Sequence, residues 1–215
     1  MSRLLHIEAS PRKQRSASME VARTFIDRYV EAHPDSSVER LDVWNLEVPE
    51  FDSHAMEAKY AGLAGIELTD AQRTAWQRIN ELAQPFRDAD ILVFSVPMWN
   101  FGIPYKLKHL IDAISQKDVL FTFTPDEGLR GMLHGKKAVL AYARGTSLAE
   151  DGPMPARIFD YQQGYMNLWL EMIGVTDIES IVVEKTLFGP EVDADSRQLA
   201  VTQAAGLASR IHSGT

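Results

Sequence analysis

The chain contains no cysteine, which excludes disulfides, iron–sulfur ligation and thiol catalysis. It lacks a basic block, and its formal net charge is −8. Nucleic acid is therefore not expected as a partner, because nothing offers continuous phosphate neutralisation. No long apolar run is present: the most apolar stretch, Ile91 to Trp99, is far short of the roughly 20 residues that span a bilayer. The N-terminus opens directly into Leu4-Leu5-His6-Ile7, with neither a long apolar region nor a cleavage site after it. The expectation is a cytoplasmic protein with no membrane partner. No G-x-S-x-G elbow serves a serine nucleophile, and the six histidines form no H-x-x-x-H pair. Asp193 and Asp195 lack the glycine and distal glutamate of a calcium loop, so no metal site is expected. Gly131 to Lys137 imitates a phosphate-binding Walker loop. It has one residue too few between its glycines and precedes a strand instead of following one.

What remains is an ordinary globular composition, 45% hydrophobic and 24% charged over 215 residues, suited to a single domain spanning residues 1–215. Strand-like and helix-like patterns alternate along it. Leu4 to Ala9 predicts a strand, and Ser16 to His33 a helix with Met19, Ala22, Phe25, Ile26, Tyr29 and Val30 on one face. Val38 to Val43 predicts a second strand. Trp44 to Leu68 reads as an excursion with a short helix around Ala55 to Ala61. A capping box at Thr69 to Gln72 opens a helix that buries Trp76, Ile79, Leu82, Ala83 and Phe86. The central strand follows at Ile91 to Val96, then a helix over 104–115, an irregular segment from Gln116 to His134, and a strand at Lys137 to Ala143. A helix over 156–173 closed by Gly174, a strand at Ile178 to Glu184 and a helix over 192–211 complete the order. Five β–α repeats predict a parallel sheet with helices on both faces.

Two strand-end loops carry candidate chemistry. Pro97-Met98-Trp99-Asn100-Phe101-Gly102-Ile103-Pro104 links the central strand to a helix, the place where open α/β sheets hold flat ligands. Trp99 and Phe101 are costly to expose, so either a planar molecule lies against them or the turn is tucked under a neighbouring helix. The first strand–helix turn has no glycine, so it is not a dinucleotide loop. Ser10, Ser16, Ala17 and Ser18 supply small hydroxyls, backbone N–H groups and a helix N-terminus, which suit one terminal phosphate as well as a simple cap. Arg12, Lys13 and Arg15 raise the local potential. On local features alone, Ala143-Arg144-Gly145-Thr146 is an ordinary strand-end turn.

The loop at Pro97 to Phe101 resembles the flavin-ring loop of the FMN-dependent NADH:quinone oxidoreductases known as azobenzene reductases, of flavodoxin-like fold. Trp99 stands where that family usually has tyrosine. Ser10 with Ser16-Ala17-Ser18 resembles its phosphate loop, Gly128-Leu129 through Lys136-Lys137-Ala138 its approach to the fourth strand, and Ala143 to Thr146 its second flavin loop, with Thr146 replacing a glycine. Tyr165 to Asp177 and Phe188-Gly189-Pro190 extend the likeness over nearly the whole chain.

The resemblance implies a strand order 2-1-3-4-5, one tightly bound FMN per subunit and a homodimer with flavin sites near its interface. It further implies NADH or NADPH as donor and a quinone or azo compound as acceptor, in a ping-pong cycle. Cofactor-binding residues would be Ser10, Ser16, Ala17, Ser18, Pro97, Met98, Trp99, Asn100, Phe101, Ala143, Arg144, Gly145 and Thr146. Asn100 and Phe123 would act on the reactants. Phe123 and Met172 fall where the family surrounds the stacked substrate with a tyrosine and a phenylalanine. Two other classes share the fold: a flavodoxin-like electron carrier, and a non-catalytic flavin-binding regulatory protein.

Overall fold

The computed structural model describes residues 1–50, 56, 57, 59–61 and 67–211. In chain order the first elements are β1 (Arg3–Glu8), α1 (Ala17–Ala32), β2 (Ser37–Asp42), α2 (Asp70–Asp88), β3 (Ile91–Pro97) and α3 (Tyr105–Ile114). Then follow β4 (Phe121–Thr124), β5 (Gly128–Gly131), β6 (Lys137–Ala143), α4 (Ala156–Phe159), α5 (Tyr161–Met172), β7 (Asp177–Val183) and α6 (Pro190–Ala208). Of the short helix expected around 55–61, residues 56, 57 and 59–61 are helical, and Ala55 and Ala58 lie outside the described residues.

Five strands form a parallel sheet in the order β2-β1-β3-β6-β7. With β6 and β7 in fourth and fifth place, this is the predicted order. Every residue of β3 from Ile91 to Val96 is buried, as a strand covered on both faces requires, which is why it reads as a continuous apolar run. One face packs Leu82 and Phe86 of α2, Leu107 and Leu110 of α3, and Trp169 and Leu170 of α5. The other packs Val21, Phe25 and Tyr29 of α1 against Ala200, Ala204 and Leu207 of α6. The alanines let α6 lie close to α1.

Two expectations are corrected. The segment 116–134 is not irregular throughout: Phe121-Thr122-Phe123-Thr124 alternates as a strand should, and pairs antiparallel with Gly128–Gly131. Its base leaves from the ends of α3 and α5, where the Leu133 N–H donates to Ile173 O at 2.8 Å. Gly131 is required there, since a Cβ would stand 2.0 Å from the Gly174 nitrogen. The helix expected over 156–173 is interrupted at Asp160, whose carboxylate accepts from the Gln163 N–H at 2.8 Å and caps α5. The capping box at Thr69 and Gln72 is present with both bonds. No helix among the described residues is long and apolar enough to cross a membrane.

Candidate functional site

In this topology the chain reverses direction across the sheet between β1 and β3, and the carboxyl ends of those strands diverge to leave a crevice. A cleft of about 190 Å³ opens there. One end is polar, formed by Ser10, Arg12, Ser16, Ala17 and Arg197; Met98, Trp99, Gly145 and Leu187 contribute to the rest of the lining.

The polar end is built by the turn after β1. The Ala9 N–H donates to Ser95 O at 3.1 Å, and the Ser10 hydroxyl accepts from the Arg12 N–H at 3.4 Å. A 3₁₀ turn at Lys13–Arg15 delivers Ser16 as the N-cap of α1. The Ser16 hydroxyl accepts from the Met19 N–H at 3.4 Å and lies 3.1 Å from the Ser18 hydroxyl. Among the described residues, the N–H groups of Ala17 and Ser18 have no protein acceptor. These are the orphan donors of a helix start, and the helix dipole adds positive potential.

The loop after β3 is a tight turn. Trp99 and Gly102 exchange N–H···O bonds at 3.0 and 2.9 Å, with Asn100 at φ +48° and Phe101 at φ +68°. Left-handed conformation at both central positions is the type I′ arrangement, which a bulky residue such as phenylalanine adopts at a cost. Trp99 packs on Trp44 at 5.5 Å and on Tyr105 at 6.2 Å between ring centroids, and Phe101 on Phe159 at 5.2 Å. Both aromatic residues of the turn nonetheless keep more than a third of their surface exposed. The neighbouring-helix alternative therefore accounts for only part of their surface.

The loop after β6 is held by charge. Arg144 is buried, and its guanidinium donates to Asp160, to Gln163 at 3.0 Å, to Glu184 at 3.3 Å and to Gln162 at 3.4 Å. The segment after β7 zips onto the loop: the Leu187 N–H donates to Gly145 O, and the Thr186 N–H and hydroxyl both donate to Arg144 O. The N–H groups of Gly145 and Thr146 have no protein acceptor among the described residues. A Cβ on Gly145 would lie 2.6 Å from Leu187 Cδ1, so Gly145 lets that leucine sit over the loop.

Of the predicted residues, Ser10, Ser16, Ala17, Pro97, Met98, Trp99, Ala143 and Gly145 line the cleft. Ser18 stands behind Ser16. Asn100 and Phe101 form the tip of the turn, and Thr146 lies beside the cleft. Arg144 sends its side chain inward. Phe123 is not brought to this cleft: it is half-exposed on the β4–β5 hairpin, whose base sits where α5 leads into β7, at the opposite edge of the sheet. Sequence reasoning missed Trp44, Thr186, Leu187 and Arg197. The only signal for the arginine was the spacing of Asp193 and Arg197, four apart on a helix.

A family model described as a flavodoxin-like fold matches residues 2–207. The chain is 50% identical over 211 residues to FMN-dependent NADH:quinone oxidoreductase 3 of Pseudomonas fluorescens, covering 98% of each chain. It is 56% identical over 209 residues to FMN-dependent NADH:quinone oxidoreductase 9 of Burkholderia lata, covering 97% of this chain and 99% of that one. Among solved structures, the azoreductase from Bacillus anthracis superposes with a TM-score of 0.87 at 27% identity, over 98% of this chain and 100% of that one. An FMN-dependent NADH-azoreductase from Bacillus anthracis, solved in complex with FMN, gives 0.86 at 26% identity over 98% and 99%. The chain therefore belongs to the flavodoxin-like family of FMN-dependent NADH:quinone oxidoreductases.

Proposed function

We propose that the cleft holds FMN, and that the enzyme carries two electrons from NADH or NADPH to quinones and azo compounds in a ping-pong cycle. The observation that carries this reading is the pairing of unsatisfied N–H donors at both ends of one cleft. Ala17 and Ser18 offer theirs at the start of α1, beside the Ser10 and Ser16 hydroxyls, and Gly145 and Thr146 offer theirs beyond β6. The first group fits a phosphate and the second an electron-rich ring edge, with the apolar side chains of Met98 and Trp99 between them. FMN, when bound, supplies the two-electron chemistry, a task for which none of the side chains lining the cleft is suited.

The protein's contribution is position. Ser16 and the first turn of α1 hold the anion, Trp99 presents an aromatic wall, and Asn100 at the turn tip orients the reactants. Arg144 holds the second loop in shape through Asp160 and Glu184, without itself facing the ligand.

One chain does not enclose the site. A cleft of about 190 Å³ is smaller than the roughly 300–1,000 Å³ usual for small-molecule pockets. Next to it the α3–α5 face carries an open groove of about 770 Å³, lined by Tyr105, Tyr161, Tyr165 and Leu168 among others. A second copy covering this face would complete the site, and Phe123, far from its own cleft, would then serve that of its partner.

Replacing Ser10 and Ser16 together by alanine should weaken FMN binding by about two orders of magnitude, because each charge-assisted bond is worth roughly 1.5–3 kcal/mol. Unchanged affinity in the folded double variant would place the phosphate elsewhere. Double-reciprocal plots against NADH at several quinone concentrations should be parallel. Intersecting lines would defeat alternate occupancy, and a sedimentation experiment showing a fully active monomer would defeat the dimer.

A further inference from the structure

We infer that Arg197 is a further phosphate-binding residue of the cleft, reaching it from α6 and held ready for an anion by two carboxylates. Its guanidinium donates from Nε to Asp193 Oδ1 at 2.9 Å and from Nη1 to Glu20 Oε2 at 2.9 Å. The two N–H groups on Nη2 have no protein acceptor among the described residues, and the residue lines the same cleft as Ser10, Ser16 and Ala17.

Three features separate this arginine from a surface ion pair. The side chain is only 19% exposed, so solvent screens it weakly. Its two partners come from different helices, Asp193 on its own α6 and Glu20 on α1, which fixes the guanidinium plane without occupying its outer fork. An arginine so fixed loses little side-chain freedom when an anion arrives. The third feature is the charge balance at this end. Glu20 and Asp193 hold the Arg197 guanidinium in place but also offset its charge, so removing one carboxylate raises the positive potential that an anion meets. Arg12 also lines the cleft, but it is exposed on the turn after β1 and contributes a screened charge.

The inference rests on the assignment of FMN to this cleft, and the phosphate of FMN distinguishes it from a structural staple between α1 and α6. The full-length chain, freed of flavin, is titrated with FMN and separately with riboflavin, which has the same ring and no phosphate. Arg197→Gln should weaken FMN by about tenfold or more, the worth of one or two charge-assisted bonds, and leave riboflavin unchanged. Arg197→Lys, which keeps the charge without the fork and disturbs packing less, should lose less, again for FMN alone. Glu20→Gln frees the arginine from one competitor and should tighten FMN by about threefold, the scale of one partly exposed charge interaction. Equal losses for FMN and riboflavin in the Arg197 variants would overturn the inference in favour of a helix staple. A Glu20→Gln variant as weak as Arg197→Gln would do the same. Failure of the unaltered chain to bind FMN saturably would overturn the cofactor assignment, and this inference with it.

Discussion

The two loops that border the cleft reach the same edge of the sheet by different means. The loop after β3 is held by backbone geometry: reciprocal bonds between Trp99 and Gly102, left-handed conformation at Asn100 and Phe101, and no charged side chain from Pro97 to Gly102. The loop after β6 is held by a buried cation with carboxylates on two sides, and Arg144 is only 4% exposed. The first spends strain, of order 1–3 kcal/mol for each unfavourable backbone position, and keeps its aromatic side chains at the surface. The second hides the one charged side chain of residues 143–146 and turns peptide groups toward the cleft. Where a strand ends at a ligand site, a conspicuous arginine can therefore be scaffold while bare backbone forms the contact surface.

The sharpest way to break this contrast is at Arg144. Arg144→Met leaves Asp160 and Glu184 without their cation, and orphaning a buried ion pair costs about 3–5 kcal/mol. Denaturant unfolding should show a loss of that size, with FMN binding failing alongside it. A loss below about 1 kcal/mol, the range of surface pairs, would mean that charge does not hold the second loop.

Acid titration probes the strand beneath the first loop. His6 is buried on β1, its Nε2 lying 3.2 Å from the Ser95 hydroxyl of β3, while Nδ1 has no hydrogen-bond partner. Burial, reinforced by the charges of Arg40 and Arg23, lowers its pKa from 6.5 to about 3, outweighing Glu8, whose carboxylate is 3.6 Å from Nδ1. The folded state thus binds the proton less readily than the unfolded chain. The stabilisation is complete above pH 6.5 and is lost as pH falls from there toward 3. The loss should be about 1.4 kcal/mol per pH unit in this window. His6→Gln, which can still pair with Ser95, should flatten that slope. A variant with the same slope as the unaltered protein would assign the acid sensitivity to other groups.

These two supports were unequally legible. The strand run Ile91 to Val96 and the apolar face of α1 are visible in the sequence because burial there follows a simple period. The serine cluster is visible because a cap and a phosphate site ask for the same residues in adjacent positions. Arg144 was visible as a residue but not as a strut, since its partners lie 16 to 40 positions away and no period links them. Arg197 shows in the sequence only through its spacing from Asp193, because Glu20, its other partner, is 177 residues away. The break at Asp160 was lost inside an otherwise helical pattern, because a capping aspartate reads like any exposed polar residue. The hairpin at 121–131 has strands of only four residues, too short for alternation to stand out from noise.

Asn100 separates the side chain from the turn. Alanine there must adopt a left-handed conformation, at about 1–2 kcal/mol, whereas glycine adopts it freely. Asn100→Ala should therefore lower stability by about 1 kcal/mol and Asn100→Gly should not. In rapid-mixing experiments, slowing shared by both variants belongs to the lost amide, and slowing confined to alanine belongs to the distorted turn. Unchanged rates in both would remove Asn100 from the reaction.

The smallest expected effect on stability lies in the second loop, at Gly145. The Cβ of Gly145→Ala would stand 2.6 Å from Leu187 Cδ1 and 3.0 Å from its Cγ. Those atoms are the outer part of a side chain that is 82% exposed, so the leucine can swing aside instead of forcing the backbone apart. Stability should consequently change by less than about 0.5 kcal/mol. The displaced leucine would reshape the rim of the cleft, and KM for bulky quinones should move more than KM for NADH. Leu187→Ala removes the colliding atoms, so adding it to Gly145→Ala should cancel that shift, a coupling read directly from a double-mutant cycle. If Gly145→Ala instead costs several kcal/mol, the backbone of this loop is as finely balanced as that of the first, and charge alone does not explain how it is held.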